Sequence, residues 1–150
     1  MKTEAIELLK EDHKKFKKLF RDFEKATTNK QKEEISKEIF LELTVHSKVE
    51  EELFYPALEE KEEKLVLESY EEHHQADQRI DELKEMQVED GTFTAKFTVL
   101  REDIEHHIGE EEKELFPKAK RILGKEKIIE LGEQIKERKE ELMHELQVER

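Results

Sequence analysis

The sequence predicts an all-α protein, an up-down-up-down four-helix bundle with an additional C-terminal helix. Three observations lead there. Apolar residues recur at the helical period along five segments. Helix breakers are scarce, with four Gly and two Pro in 150 residues. Charged residues make up 46% of the chain, as expected for long helices with solvated outer faces. The apolar share of 34% is low, yet those residues are periodic and eight are Phe, which argues against disorder. The length suits one domain over residues 1–150, with the core bundle at 3–123 and the extra helix at 125–148.

The first helix is predicted from Thr3 to Ala26, with Ile6, Leu9, His13, Phe16, Phe20 and Phe23 on one stripe. Thr28 and Gln31 fit a capping box and open the second helix, which runs to about Lys61. Its stripe is Ile35, Ile39, Leu43, His46, Glu50, Leu53 and Ala57, and Pro56 predicts a kink or an early break near Tyr55. The third helix spans about Lys64 to Gln87, with Val66, Tyr70, His73, Ala76, Ile80 and Leu83 aligned. Asp90-Gly91 marks a turn. The fourth helix runs from about Thr92 to Leu123, with Phe97, Leu100, Ile104, His107, Glu111 and Leu115 in line and Pro117 near its end. Gly124 separates it from the fifth, whose thinner stripe of Ile128, Leu131, Ile135 and Leu142 suits a lid packed on the outside. Short connections make helices one to four antiparallel neighbours.

A formal net charge of −13 argues against nucleic acid and anionic membranes as partners. With no Cys, disulfides and thiolate metal sites are excluded. No signal-like or membrane-length apolar run appears, so a cytoplasmic location is expected.

The chain reads as two copies of one helical hairpin. Each first helix carries a His, at 13 and 73. Each second helix carries a His and, four residues on, a Glu: His46 with Glu50, and His107 with Glu111. Leu53-Phe54 with Pro56 and Leu115-Phe116 with Pro117 come next, with an apparent one-residue slip in the aromatic part. A spacing of four places imidazole and carboxylate on one face, a turn apart. Taken singly, an inward His is usually a hydrogen-bonded core residue, and His46 with Glu50 could be a buried ion pair. Six such positions with twofold symmetry favour metal instead, because two unpaired carboxylates in a core would cost several kcal/mol.

Nitrogen and oxygen donors without sulfur point to iron, manganese or zinc. Six donors are too many for one tetrahedral zinc and too few to saturate two octahedral ions. Two metals bridged by Glu50 and Glu111 fit best, held by His13, His46, His73 and His107. Open positions would then take oxygen, nitric oxide, peroxide or water, in a pocket lined by Phe16, Phe20, Phe97 and Leu100. His106 and Glu110 lie on a polar row, which selects His107 and Glu111 over them; the internal repeat selects His73 over His74. His144 is expected at the surface. Glu51 and Asp77 lie near enough to be reserve groups but are expected to face solvent. Tyr55 and Tyr70 suit core packing, with a role as proton or electron donors the alternative.

The segments Asp12-His13, His46 to Pro56, Glu72-His73-His74 and His106 to Pro117 resemble the hemerythrin HHE cation-binding domain over nearly the whole chain. That resemblance implies a non-haem di-iron centre bridged by two carboxylates and an oxo or hydroxo group. It departs from the oxygen-carrying hemerythrins at Asp77, where they have a second His, and at Glu111, where their carboxylate comes one residue later. The set of four His and two Glu is more similar to the branch that includes iron-cluster repair proteins and iron or oxygen sensors. The expected function is therefore binding or sensing of oxygen, nitric oxide or peroxide, or iron buffering. The alternative is a di-iron enzyme acting on peroxide or nitric oxide, or in cluster repair.

Overall fold

The computed structural model describes residues 3–148. Its elements are α1 (Ala5–Lys25), α2 (Asn29–Val49), a π-helical turn (Glu50–Phe54), α3 (Tyr55–Leu58), α4 (Glu63–Lys84), α5 (Gly91–Glu110), a second π-helical turn (Glu111–Leu115) and α6 (Phe116–Val148). Helices α1, α2, α4 and α5 form the four-helix bundle, and no strand occurs among the described residues. The capping box opens α2 as the sequence predicts: the Gln31 N–H donates to Thr28 Oγ1 at 3.2 Å and the Thr28 N–H to Gln31 Oε1 at 3.3 Å.

The kink expected at Pro56 is a widened turn rather than a break. The Tyr55 N–H bonds to the Glu50 carbonyl, and the Phe116 N–H to that of Glu111, each five residues back. Each wide turn ends just before a proline. It displaces the carbonyls that the proline ring would strike in a regular helix. The extra residue rotates the helical face beyond it. Ala57, expected on the inward stripe, is exposed and Leu53 is half-buried, whereas Phe54, Tyr55 and Leu58 are buried. Both turns start at the Glu and both prolines come six residues on, so the backbone register is the same in the two hairpins. The apparent slip is therefore one of residue type: Tyr55 stands where the other hairpin has Phe116.

Two apolar clusters fill the bundle. One is rich in Phe, with Phe16, Phe20, Phe23, Phe40, Phe93 and Phe97 beside Ile39, Ile80 and Leu83. The other gathers the start of α1 and the end of α2 around Ile128, Leu131, Ile135 and Leu142 of α6. The C-terminal helix is thus part of the core. It is continuous from Phe116 except at Gly124, whose φ of 78° lets the chain turn onto α1 and α2. At Gly132 α6 meets the backbone leading into α1 so closely that a Cβ would strike the Thr3 carbonyl oxygen.

Candidate metal centre

Between the two clusters the bundle interior is polar. His13 on α1, His46 on α2, His73 on α4 and His107 on α5 are all buried, as are Glu50 and Glu111 at the starts of the π-helical turns. The four Nε2 atoms converge on the two carboxylates. His13 Nε2 lies 3.1 Å from Glu111 Oε1, and His107 Nε2 3.3 Å from Glu111 Oε2. His46 and His73 each place Nε2 3.2 Å from Glu50 Oε1. Glu111 therefore reaches one hairpin with each oxygen. Two groups result whose donor atoms lie within 4.8 Å of one another: His13, His46, Glu50 and Glu111, and Glu50, His73 and His107.

The outer nitrogen of every one of these rings meets a carboxylate. His46 Nδ1 bonds to Asp12 at 2.8 Å, and His107 Nδ1 to Glu72 at 2.8 Å. His13 Nδ1 bonds to Glu112 at 2.7 Å, and His73 Nδ1 to Glu51 at 3.1 Å. With Nδ1–H donating outward, each Nε2 faces the interior, where it can offer a lone pair once it carries no proton, the arrangement that orients metal-ligating imidazoles. The pattern obeys the internal repeat. The acid just before each first-helix His holds the second-helix His of its own hairpin. The acid just after each inward Glu holds the first-helix His of the other.

Glu51, expected to face solvent but near enough to be a reserve group, reaches back to a ring while about one-third exposed, and so does Glu112. Asp12 and Glu72 were not singled out as partners at all. Their signal was available, since an acid before the His and an acid after the Glu recur in both hairpins.

Tyr55 breaks the symmetry. Its hydroxyl lies 2.5 Å from Glu111 Oε2, 3.1 Å from Glu50 Oε1, and 3.2 and 3.3 Å from His73 and His107 Nε2. It sits among the second group of donors. Burial first, then the charges of Glu111 and Glu50, hold its pKa well above the usual phenol value, so it carries a proton there. In the other half Phe116 stacks on His13, with ring centroids 5.6 Å apart.

The remaining sequence expectations sort by position. The His106 side chain is 69% exposed against 10% for His107, and it pairs with Glu110 at 3.0 Å outside the bundle. His74, Asp77 and His144 are exposed. Tyr70 is half-buried and packs edge-on to Tyr55. Phe16, Phe20, Phe97 and Leu100, expected to line a ligand pocket, are all buried in the Phe-rich cluster. A cavity of about 220 Å³ lies between α4 and α5, lined by His73, His107, Ala76 and Ile104 among others.

Three buried atoms decide what this arrangement fits. Glu50 Oε2 has no hydrogen-bond partner among the described residues, and His13 Nε2 and Glu111 Oε1 have only each other, 3.1 Å apart and without hydrogen-bond geometry. Orphaned donors and acceptors in a core are costly. Here they are imidazole nitrogen and carboxylate oxygen aimed at one another's vicinity, which suits cations. Comparison with known proteins agrees. The family model of the hemerythrin HHE cation binding domain matches residues 4–119. The chain belongs to the hemerythrin HHE cation-binding family. A crystal structure of a hemerythrin HHE cation binding domain-containing protein from Mycobacterium kansasii is similar at 27% identity. The match covers 95% of this chain and 89% of that one, with a TM-score of 0.86. No functionally curated protein matches significantly.

In this HHE domain the charge balance without metal is set by proton sharing. Burial disfavours the His46 cation, but Glu50 and the Asp12 hydrogen bond outweigh it and raise its pKa to about 10. His107 is likewise raised well above its ordinary value, with burial opposing and Glu111 and Glu72 prevailing. For Glu111, burial would raise the pKa, but His107 and His13 hold it well below the usual carboxylate range. The HHE centre therefore holds protons where cations would sit, and the two must exchange.

Proposed function

We propose that the chain holds two metal ions, foremost iron, with manganese or zinc as substitutes, and through them binds oxygen, nitric oxide or peroxide, or buffers iron. The observation that supports this most is the convergence of four Nε2 atoms on two buried carboxylates that retain orphaned oxygens. His13 and His46 would hold one ion, His73 and His107 the other, and Glu50 and Glu111 would join them. A bound iron pair would supply redox capacity and open coordination positions. The protein's own part is to orient each imidazole through Asp12, Glu112, Glu51 and Glu72, and to exclude water with the Phe-rich cluster.

An enzymatic reading, acting on peroxide or nitric oxide, has one specific support. Tyr55 holds a proton on its hydroxyl among the second group of donors, within reach of Glu111 and Glu50. A proton held there can pass to a small ligand seated at those donors. Metal analysis after saturating reconstitution tests the main reading. Two ions per chain are expected, and one ion per chain would overturn the bridged pair. Turnover of peroxide or nitric oxide, absent in simple uptake, separates the two readings.

A further inference from the structure

The two hairpins are equivalent in backbone but not in what covers them. On the first, α6 lies over the seam between α1 and α2. Val45 and Val49, one residue before His46 and Glu50, are 0% and 1% exposed and pack with Leu131, Ile135 and Leu142. Lys139 of α6 bonds Asp12, sealing the outer side of His46. On the second hairpin the same positions are His106 and Glu110, at 69% and 48% side-chain exposure, and no helix among the described residues covers them as α6 covers the first.

Beneath that open seam lies the second half of the centre. The 220 Å³ cavity between α4 and α5 runs from His106 and Asp103 to His73 and His107. A narrower cleft beside it is lined by Glu68, Glu72, Glu110 and Glu114 and reaches the buried Glu111. Neither is lined by a Lys or Arg. At the mouth, Glu72, His106 and Glu110 offer one donor atom each, all within 4.8 Å. Glu72 also bonds His107 Nδ1, so the outer cluster and the inner one share a residue. An acid-lined cleft with low-dielectric walls concentrates cations and speeds their arrival.

We propose that the α4–α5 seam is the port by which divalent cations reach the centre, and that His106, Glu110 and Glu72 form a docking site at its mouth. A cation docks there with its charge met by two carboxylates and an imidazole. It then moves inward past Glu72 to His73, His107 and Glu111. The site is one of passage, so it governs the rate of filling rather than the final content. This inference rests on the two-metal reading above.

The test gives His106 and Glu110 the residues of the closed hairpin. Metal-free wild type and the H106V/E110V variant are mixed with Co²⁺ in stopped flow, followed by Co²⁺ absorption, with metal analysis at the end point. Should the valines impair folding, H106A/E110Q makes the same comparison. Loading at least about tenfold slower, with a salt dependence weaker than wild type's and an unchanged end point, is the expected result. Equal loading rates overturn the port while leaving the two-metal reading intact. A lowered end point overturns it too, since the cluster would then be part of the final site. Wild type that takes up no Co²⁺ sinks the two-metal reading and the port with it.

Discussion

The first hairpin's half of the centre is covered, by α6 on the outside and by Phe116 within, and the second's half lies beside an open seam and the Tyr55 hydroxyl. Both supply the same three inward groups, at 13, 46 and 50 and at 73, 107 and 111. Around the first half stand Phe116, Val45, Val49 and the buried Asp12 tied to Lys139. Around the second stand the Tyr55 hydroxyl, a cavity, and Glu72 at the surface. A duplicated hairpin fixes donors by symmetry; the residues beside them then make two similar positions chemically different. The family name predicts the donors, and the departures from symmetry are where this chain's own behaviour resides.

The largest expected effect tests whether the inward histidines are chosen correctly. His107→Ala should abolish binding at the second position, because it removes an Nε2 facing Glu111. His106→Ala should leave the metal content at saturation unchanged. Metal analysis of both variants decides it, and the reverse pattern would place the helix face one residue out.

The next effect is on pH dependence, of order a few kcal/mol. In the metal-free protein His46 is raised from 6.5 to about 10, and His107 and His73 are raised too. Raised histidines contribute stability that is full below about pH 6.5 and is lost as pH climbs through their folded values. Glu111, lowered, contributes above its ordinary value of 4.5 and loses that as pH falls through its folded one. The metal-free chain should therefore be most stable between about pH 5 and 6.5 and weaken toward pH 10. Metal affinity should rise over the same range, since the ligands must shed protons. Thermal melts across pH with and without Co²⁺ measure both; a metal-free chain whose stability grows toward pH 10 would contradict the proton-sharing account.

Much of this was legible in the sequence, and the failures have one physical cause each. The stripes of α1, α4 and α5 were readable because a regular helix repeats every 3.6 residues. Beyond Glu50 the reading failed at Leu53 and Ala57, because a π-helical turn inserts a residue that periodicity cannot show; the proline six residues after each Glu was its trace. The carboxylates behind the rings were missed because Glu51 and Glu112 adjoin inward residues and so count as solvent-facing, although a long acid can fold back over its neighbour. That α6 covers one seam alone was written only in Val45 and Val49 against His106 and Glu110, a contrast that needs the hairpins aligned.

Tyr55→Phe makes the second half match the first and isolates the hydroxyl. The metal-free variant should lose about 1–3 kcal/mol, because buried Glu111 loses the 2.5 Å hydrogen bond that takes the one phenol proton and Glu50 loses the hydroxyl 3.1 Å away. With metal bound the loss should shrink, since the cation then meets those oxygens. Paired melts of wild type and Y55F with and without Co²⁺ give the difference. An equal loss in both states would make Tyr55 a packing residue only.

The smallest effect is the difference between the carboxylates behind the rings, which ranks the two hairpins against each other. Asp12→Asn and Glu72→Gln both keep a hydrogen bond to Nδ1 but remove the charge that strengthens the imidazole as a ligand. Such changes typically weaken metal binding by about 10–100-fold. The Asp12 side chain is only 8% exposed and lies under α6, so its field acts through a poorly screened medium. Glu72 is 33% exposed at the open seam, where water and salt reduce its influence. Asp12→Asn should therefore fall toward the upper end of that range at the first position, and Glu72→Gln near the lower end at the second. Lys139 complicates the first case, because its ammonium already offsets part of the Asp12 charge. Lys139→Ala should accordingly tighten the first position slightly by freeing that charge, unless its loss unseals the seam. Titrations with Co²⁺ at two ionic strengths resolve the ranking. The Glu72 effect should diminish at high salt and the Asp12 effect should persist; equal salt sensitivity would mean that α6 does not shield its half of the centre.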